Sequence, residues 1–180
     1  MKSLSLLLFT VLLFLARNVS AQEIKSIETV RTNNKIIVSV ALDNDIPAEI
    51  FDYLHNGVKV TIVYTVNLYK ITPFFYFSDS KIVEIDYKKI VQYNIWEKAY
   101  YLEEGKTKFK FQTKGEINKK LMELNSLFLT DEDKLDKTES YYIKVKVNLE
   151  SVKLFPPLSW IFDLVTVRGF QTSWKTKDLK

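Results

Sequence analysis

The sequence predicts an all-β fold, an antiparallel two-layer β-sandwich with two short helices, and three observations carry that expectation. Alternating and β-branched runs recur along the chain at strand length. Aromatic residues are abundant, with 3 Trp, 10 Tyr and 12 Phe making 14% of the chain, and a β-rich core uses such side chains well. Cysteine is absent, so no disulfide exists and stability has to come from that core. Strands of similar length would also permit a closed β-barrel, which stands as the alternative.

Residues 1–21 read as a secretory signal. Lys2 forms a short positive region, Leu4 to Ala16 is uncharged and apolar, and Val19 and Ala21 are the small residues that place a cut after Ala21. The apolar stretch is shorter than the roughly 20 residues a membrane-crossing helix needs, and Arg17 closes it. Cleavage and a periplasmic or secreted location are therefore expected, with an uncleaved membrane tether as the alternative. Residues 22–180 are expected to form one β-rich domain, a length that suits a single core. Of the 26 Lys and Arg, Lys2 and Arg17 fall in the signal, which leaves 24 against 22 acidic residues. A balance so close to neutral argues against a nucleic-acid partner.

In chain order, strands are expected over Ile24–Val30 and Lys35–Leu42, with Asn33 and Asn34 turning between them as a hairpin. A helix over Pro47–His55 follows, with Asp45 as its cap and Ile46, Ile50, Tyr53 and Leu54 at helical spacing. The run Val58–Lys70 alternates. Val58, Val60, Ile62, Tyr64, Val66 and Leu68 share one face, while Lys59, Thr61, Thr65 and Asn67 share the other, as in a strand with one wet side. Further strands are expected over Ile82–Tyr87, Tyr93–Leu102, Thr107–Gln112, Tyr141–Leu149 and Leu164–Trp174, with Gly105 as a turn residue. A second helix starts at Thr113, where Glu116 three residues on completes a capping box, and Ile117, Leu121, Leu124 and Phe128 line one side. Thr130–Ser140 lacks an apolar period and is expected to be a charged surface loop. Lys106, Lys108 and Lys110, and Lys144 and Lys146, alternate as the wet face of a sheet.

Several stretches together carry a resemblance: the signal, IPAEIFDYLHNGV, VTIVYTVNLYK, IDYKKIVQYNIWEKAYYL, the capped helix after KFKFQT, YYIKVKVNLESVKLFPPLSW and the closing TSW. The chain resembles the exported bacterial family catalogued as domain of unknown function 4390, over nearly all of its mature length. The resemblance brings no activity. Genes of that family often neighbour membrane sensor kinases of the nitrogen-regulation type, which implies an envelope or signalling accessory. PFFYFSDSK departs from the family pattern, which tends to show arginines and tryptophan there.

Few residues are equipped for chemistry. His55 is the only histidine, in the last turn of a helix and followed by Asn56 and Gly57. A glycine in the left-handed cap and an imidazole near the negative end of the helix dipole account for it without catalysis. Neither a nucleophile elbow nor a second histidine accompanies it. Asp131, Glu132, Asp133 and Asp136 begin like a calcium loop. The sixth position, however, is Asp136 where glycine is needed, and the twelfth is Tyr142 where glutamate is needed. No metal and no cofactor are expected. Glu103 with Glu104, or Asp43 with Asp45, keep a carboxylate-dependent hydrolase open, since such enzymes need two acids facing across a cleft.

Two apolar stretches form the candidate interaction surface: Phe74, Phe75, Tyr76 and Phe77 in PFFYF, and Pro156, Pro157 and Trp160 in LFPPLSW. Alternation from Pro73 would bury Phe75 and Phe77 and turn Phe74 and Tyr76 outward. The expected function is a non-catalytic exported binding or interaction module, with an envelope or membrane protein as partner. A carboxylate-dependent hydrolase and a lipid-binding carrier are the alternatives. Membrane contact and oligomeric state stay open.

Overall fold

Asn33 and Asn34 both adopt positive φ, 48° and 61°, the conformation a two-residue hairpin turn demands and asparagine tolerates. They close β1 (Ile24–Thr32) onto β2 (Lys35–Leu42), as expected. The structure, a computed structural model, describes residues 22–73, 78–153 and 170–179, the side chains of 150–153 excepted. The expected signal and all seven residues of the expected interaction surface (Phe74, Phe75, Tyr76, Phe77, Pro156, Pro157 and Trp160) lie outside the described residues.

β2 also pairs with β7 (Glu123–Asp131), which makes a three-stranded antiparallel sheet ordered β1-β2-β7. A second sheet has six antiparallel strands. Its order is β6 (Thr107–Phe111), β5 (Ala99–Glu104), β4 (Ser80–Asn94), β3 (Lys59–Lys70), β8 (Tyr141–Lys153) and β9 (Lys175–Leu179). The apolar faces of the two sheets meet. Ile36, Val38, Val40 and Leu42 of β2 share one core with Val60, Ile62, Tyr64, Val66 and Leu68 of β3 and with Ile143, Val145 and Val147 of β8. Where the smaller sheet runs out, two helices complete the inner layer. α1 (Ala48–His55) packs on β3 and β4 through Ile50, Phe51 and Leu54, and α2 (Lys114–Met122) packs on β5, β6 and β7 through Ile117 and Leu121. The fold is thus the expected sandwich with two short helices, and neither sheet closes into a barrel among the described residues.

Several boundaries differ from the sequence expectation, each for a physical reason. Asp45 does not cap α1; its Oδ1 accepts a hydrogen bond from Asn118 Nδ2 at 2.7 Å, and Pro47 occupies the cap position without a side-chain bond. β3 is buried on both faces at its centre, since Thr61, Val63 and Asn67 are also buried in the middle of a six-stranded sheet. Lys144 and Lys146 are half-buried and reach over the Trp174 ring at 5.7 and 5.6 Å. The charged stretch from Thr130 is not all loop: β7 runs to Asp131 and a 3-10 turn follows over Glu132–Lys134. The last strand is Lys175–Leu179, whereas the expected Leu164–Trp174 falls largely outside the described residues.

The largest departure is the end of α2. The capping box forms as expected: Thr113 Oγ1 accepts from Glu116 N, and Glu116 Oε2 accepts from Thr113 N. The helix then stops at Met122, and Glu123 is already extended, so Leu124 is buried from β7 and Phe128 is exposed on that strand under Lys35. No glycine ends this helix, and side chains from the other sheet satisfy its last carbonyls instead. Tyr64 Oη donates to Leu121 O at 2.6 Å, and Lys89 Nζ donates to Lys120 O at 2.6 Å and to Glu123 O at 2.5 Å. Lys89 is 1% exposed and pairs with Glu104 Oε1 at 3.0 Å across β4 and β5. Burial pulls the lysine's pKa down and the adjacent carboxylate opposes that shift. Burial likewise pushes the Tyr64 phenol far above its ordinary range, so it remains a donor.

Candidate functional site

Tyr93–Leu102 reads as one strand in the sequence but folds as a hairpin, and its tip holds the most exposed large apolar side chains of the described chain. Asn94 makes the turn. Its Oδ1 accepts from Trp96 N at 3.0 Å and Glu97 N at 3.2 Å, while its Nδ2 donates to Glu97 Oε1 at 3.0 Å. Lys98 takes φ +47°, and the pair Asn94–Ala99 resumes the ladder. An asparagine that replaces backbone partners in this way turns a chain without glycine or proline. Glu97 ties the turn to the sheet: its Oε2 accepts from Tyr101 Oη and from Lys110 Nζ, each at 2.5 Å. Lys110 first, then Tyr101, holds the Glu97 carboxyl below its usual range.

This bracing presents Ile95 at 58% exposure and Trp96 at 95%. Tryptophan is mostly covered in folded proteins, so a nearly bare indole on a hydrogen-bonded turn is the candidate docking residue.

The hairpin is rooted on α1 by aromatic rings. His55 lies 4.6 Å from Tyr93 edge to face, its Nε2 is 2.7 Å from Tyr100 Oη, and Tyr93 and Tyr100 are 4.9 Å apart. Phe51 meets Tyr100 at 6.1 Å. The helix end itself is closed by backbone. Gly57, at φ +80°, donates to Leu54 O, and Val58 N donates to Tyr53 O, which is the glycine cap expected. His55 therefore serves as a packing and hydrogen-bonding strut between helix and hairpin.

Lysines surround this end of the molecule. Lys98 is in the turn, Lys108 and Lys110 reach over Tyr101 at 5.0 and 5.6 Å, and Lys114 sits 4.4 Å over Phe51. From Asn94 to Lys120 the chain carries seven lysines against four glutamates; of the lysines, Lys106 lies in the β5–β6 turn at the opposite end of the strands and Lys120 faces Glu104. Three of those glutamates have fixed work: Glu97 on the turn, Glu104 on Lys89 and Lys120, and Glu116 on the start of α2.

The structure places most of the acids considered from sequence in fixed contacts of their own. Glu103 and Glu104 are neighbours on β5 and so point to opposite faces, with Glu104 taken by Lys89. Asp45 is held by Asn118. Glu132 pairs with Arg31 at 2.8 Å, Asp131 pairs with Lys134 at 2.8 Å, and Asp136 accepts from the backbone and hydroxyl of Thr138, which lower its pKa. Beside them lies a polar cleft of about 490 Å³, lined by Arg31, Glu132, Lys137 and Tyr141 among others. No group of three or more metal-binding side chains occurs among the described residues.

The fold and this site define a class: a two-layer antiparallel sandwich that displays a braced aromatic turn at one end of its larger sheet. Residues 20–178 match the model of a family described as Domain of unknown function (DUF4390), and the chain belongs to that family. No curated protein and no solved structure matches it.

Proposed function

We propose that the chain is an exported, non-catalytic interaction module of the cell envelope that docks through the β4–β5 hairpin tip. The observation that carries this reading is Trp96, 95% exposed on a turn that Asn94 and Glu97 hold rigid. A rigid exposed aromatic loses little conformational freedom on docking, which favours its use as an anchor. The N-terminal pattern supports export, and the family match starts at residue 20, beside the expected cut.

The test is site-specific photocrosslinking in cells that express the full chain. A crosslinker at position 96 is expected to capture protein or phospholipid, whereas one at Glu28, on the outer face of the three-stranded sheet, captures none. Equal capture at both positions, or none at 96, would overturn the docking role.

A further inference from the structure

The partner of the tip can be argued from its size and charge. Two other places invite docking, and each is weaker: the cleft beside Arg31 has its nearest charges already paired, and the row Val30, Ile37 and Phe128 across β1, β2 and β7 is partly covered by Lys35.

We infer that the Ile95–Trp96 tip, with its collar of Lys98, Lys108 and Lys110, seats in the headgroup layer of an anionic bilayer. The inference rests on the docking role proposed above. A stable protein interface takes about 800 Å² and 20 to 30 residues from each partner. The tip offers two apolar side chains on a narrow turn. An interfacial anchor needs no more than that, because an indole settles at headgroup depth with its ring toward the acyl chains and its N–H toward water. The surroundings of the tip match an anionic surface in sign. Lys98 is exposed within the turn, and Lys108 and Lys110 gather at Tyr101; Lys110 is paired with Glu97 of the turn at 2.5 Å, so Lys98 and Lys108 carry the surplus positive charge. Lysines near such a surface add attraction that falls off within a Debye length. Their alkyl stems can lie along the apolar boundary while the ammonium groups remain wet. The contact inferred is a peripheral one made by the hairpin.

The experiment is flotation of the exported protein, purified from cells that express the full chain, with two kinds of vesicle. One is phosphatidylcholine alone and the other is equal parts phosphatidylcholine and phosphatidylglycerol. The protein is expected to float with the anionic vesicles at least about tenfold more than with the neutral ones, and to be released by high salt. The double variant Ile95→Ser, Trp96→Ser should lose flotation, and Lys98→Glu should weaken it, both with unchanged circular dichroism; Trp96→Tyr, which keeps an interfacial aromatic, should retain most of it. Parent and double variant floating equally would overturn the inference, as would a parent that floats with neither vesicle. If the parent does not float but position 96 still captures a protein in cells, the membrane falls and the docking role stands. Failure of both experiments removes both.

Discussion

Lys89 and Trp96 sit on the same hairpin, one beside the rung Lys89–Glu104 and the other beyond the rung Asn94–Ala99, and each breaks the ordinary rule of burial. The lysine is 1% exposed and the tryptophan 95%. Inside the molecule, the exception is explained by what it touches. Lys89 meets a carboxylate, a carbonyl of the last helical turn at Lys120 and the carbonyl of Glu123 just beyond it, so every part of the cost of burying its charge has a counterpart in the structure. At the tip, the contacts go to the backbone of the turn and to Glu97, and the indole itself receives almost no cover. A buried exception that is fully partnered belongs to the fold. On the docking role proposed, an exposed one that is held in place but not covered serves something outside it.

The comparison breaks most readily at the lysine. Lys89→Ala would leave Glu104 without its nearest cation and two carbonyls at the end of α2 without donors, a loss of about 3 to 5 kcal/mol. Urea denaturation measures it. A loss under about 1 kcal/mol would mean that the junction of α2 and β7 is held by packing alone.

A smaller effect is expected where the two regions share a purpose. Asn94→Ala removes three hydrogen bonds of an exposed turn and should cost about 1 kcal/mol, read as a lowered urea midpoint. The same substitution should weaken capture at position 96 more than its stability loss would suggest, because the tip is no longer held in one geometry. Unchanged capture would show that the brace is incidental to docking.

These two regions also mark how far the sequence could be read. Alternation placed the buried face of β3, the pair Asn33–Asn34 marked the first hairpin, and Thr113 with Glu116 marked the start of α2, because each signal lies within a few residues of the structure it makes. The end of α2 is set by Tyr64 and Lys89, which come from the opposite sheet. A helical apolar spacing that continues through Leu124 to Phe128 therefore hid the change to strand, and with it β7. The tip was hidden differently. Tyr93, Ile95 and Trp96 look like strand residues, and the only local sign of a turn is Asn94, three residues ahead of the polar pair Glu97 and Lys98. The aromatic stretches that drew attention in the sequence, Phe74 to Phe77 and Pro156 to Trp160, lie outside the described residues, so the surface advanced here is a third one.

The central claim is that the tip contributes binding and not fold. The most direct measurement is the unfolding free energy of the double variant Ile95→Ser, Trp96→Ser, followed by far-ultraviolet circular dichroism in urea because the substitution removes one of the 3 tryptophans. The account predicts a value within about 0.5 kcal/mol of the parent, as for surface positions that support nothing else in the fold. A loss of about 2 kcal/mol or more would contradict it, since that is the scale of a buried apolar side chain and would make the two side chains part of the core.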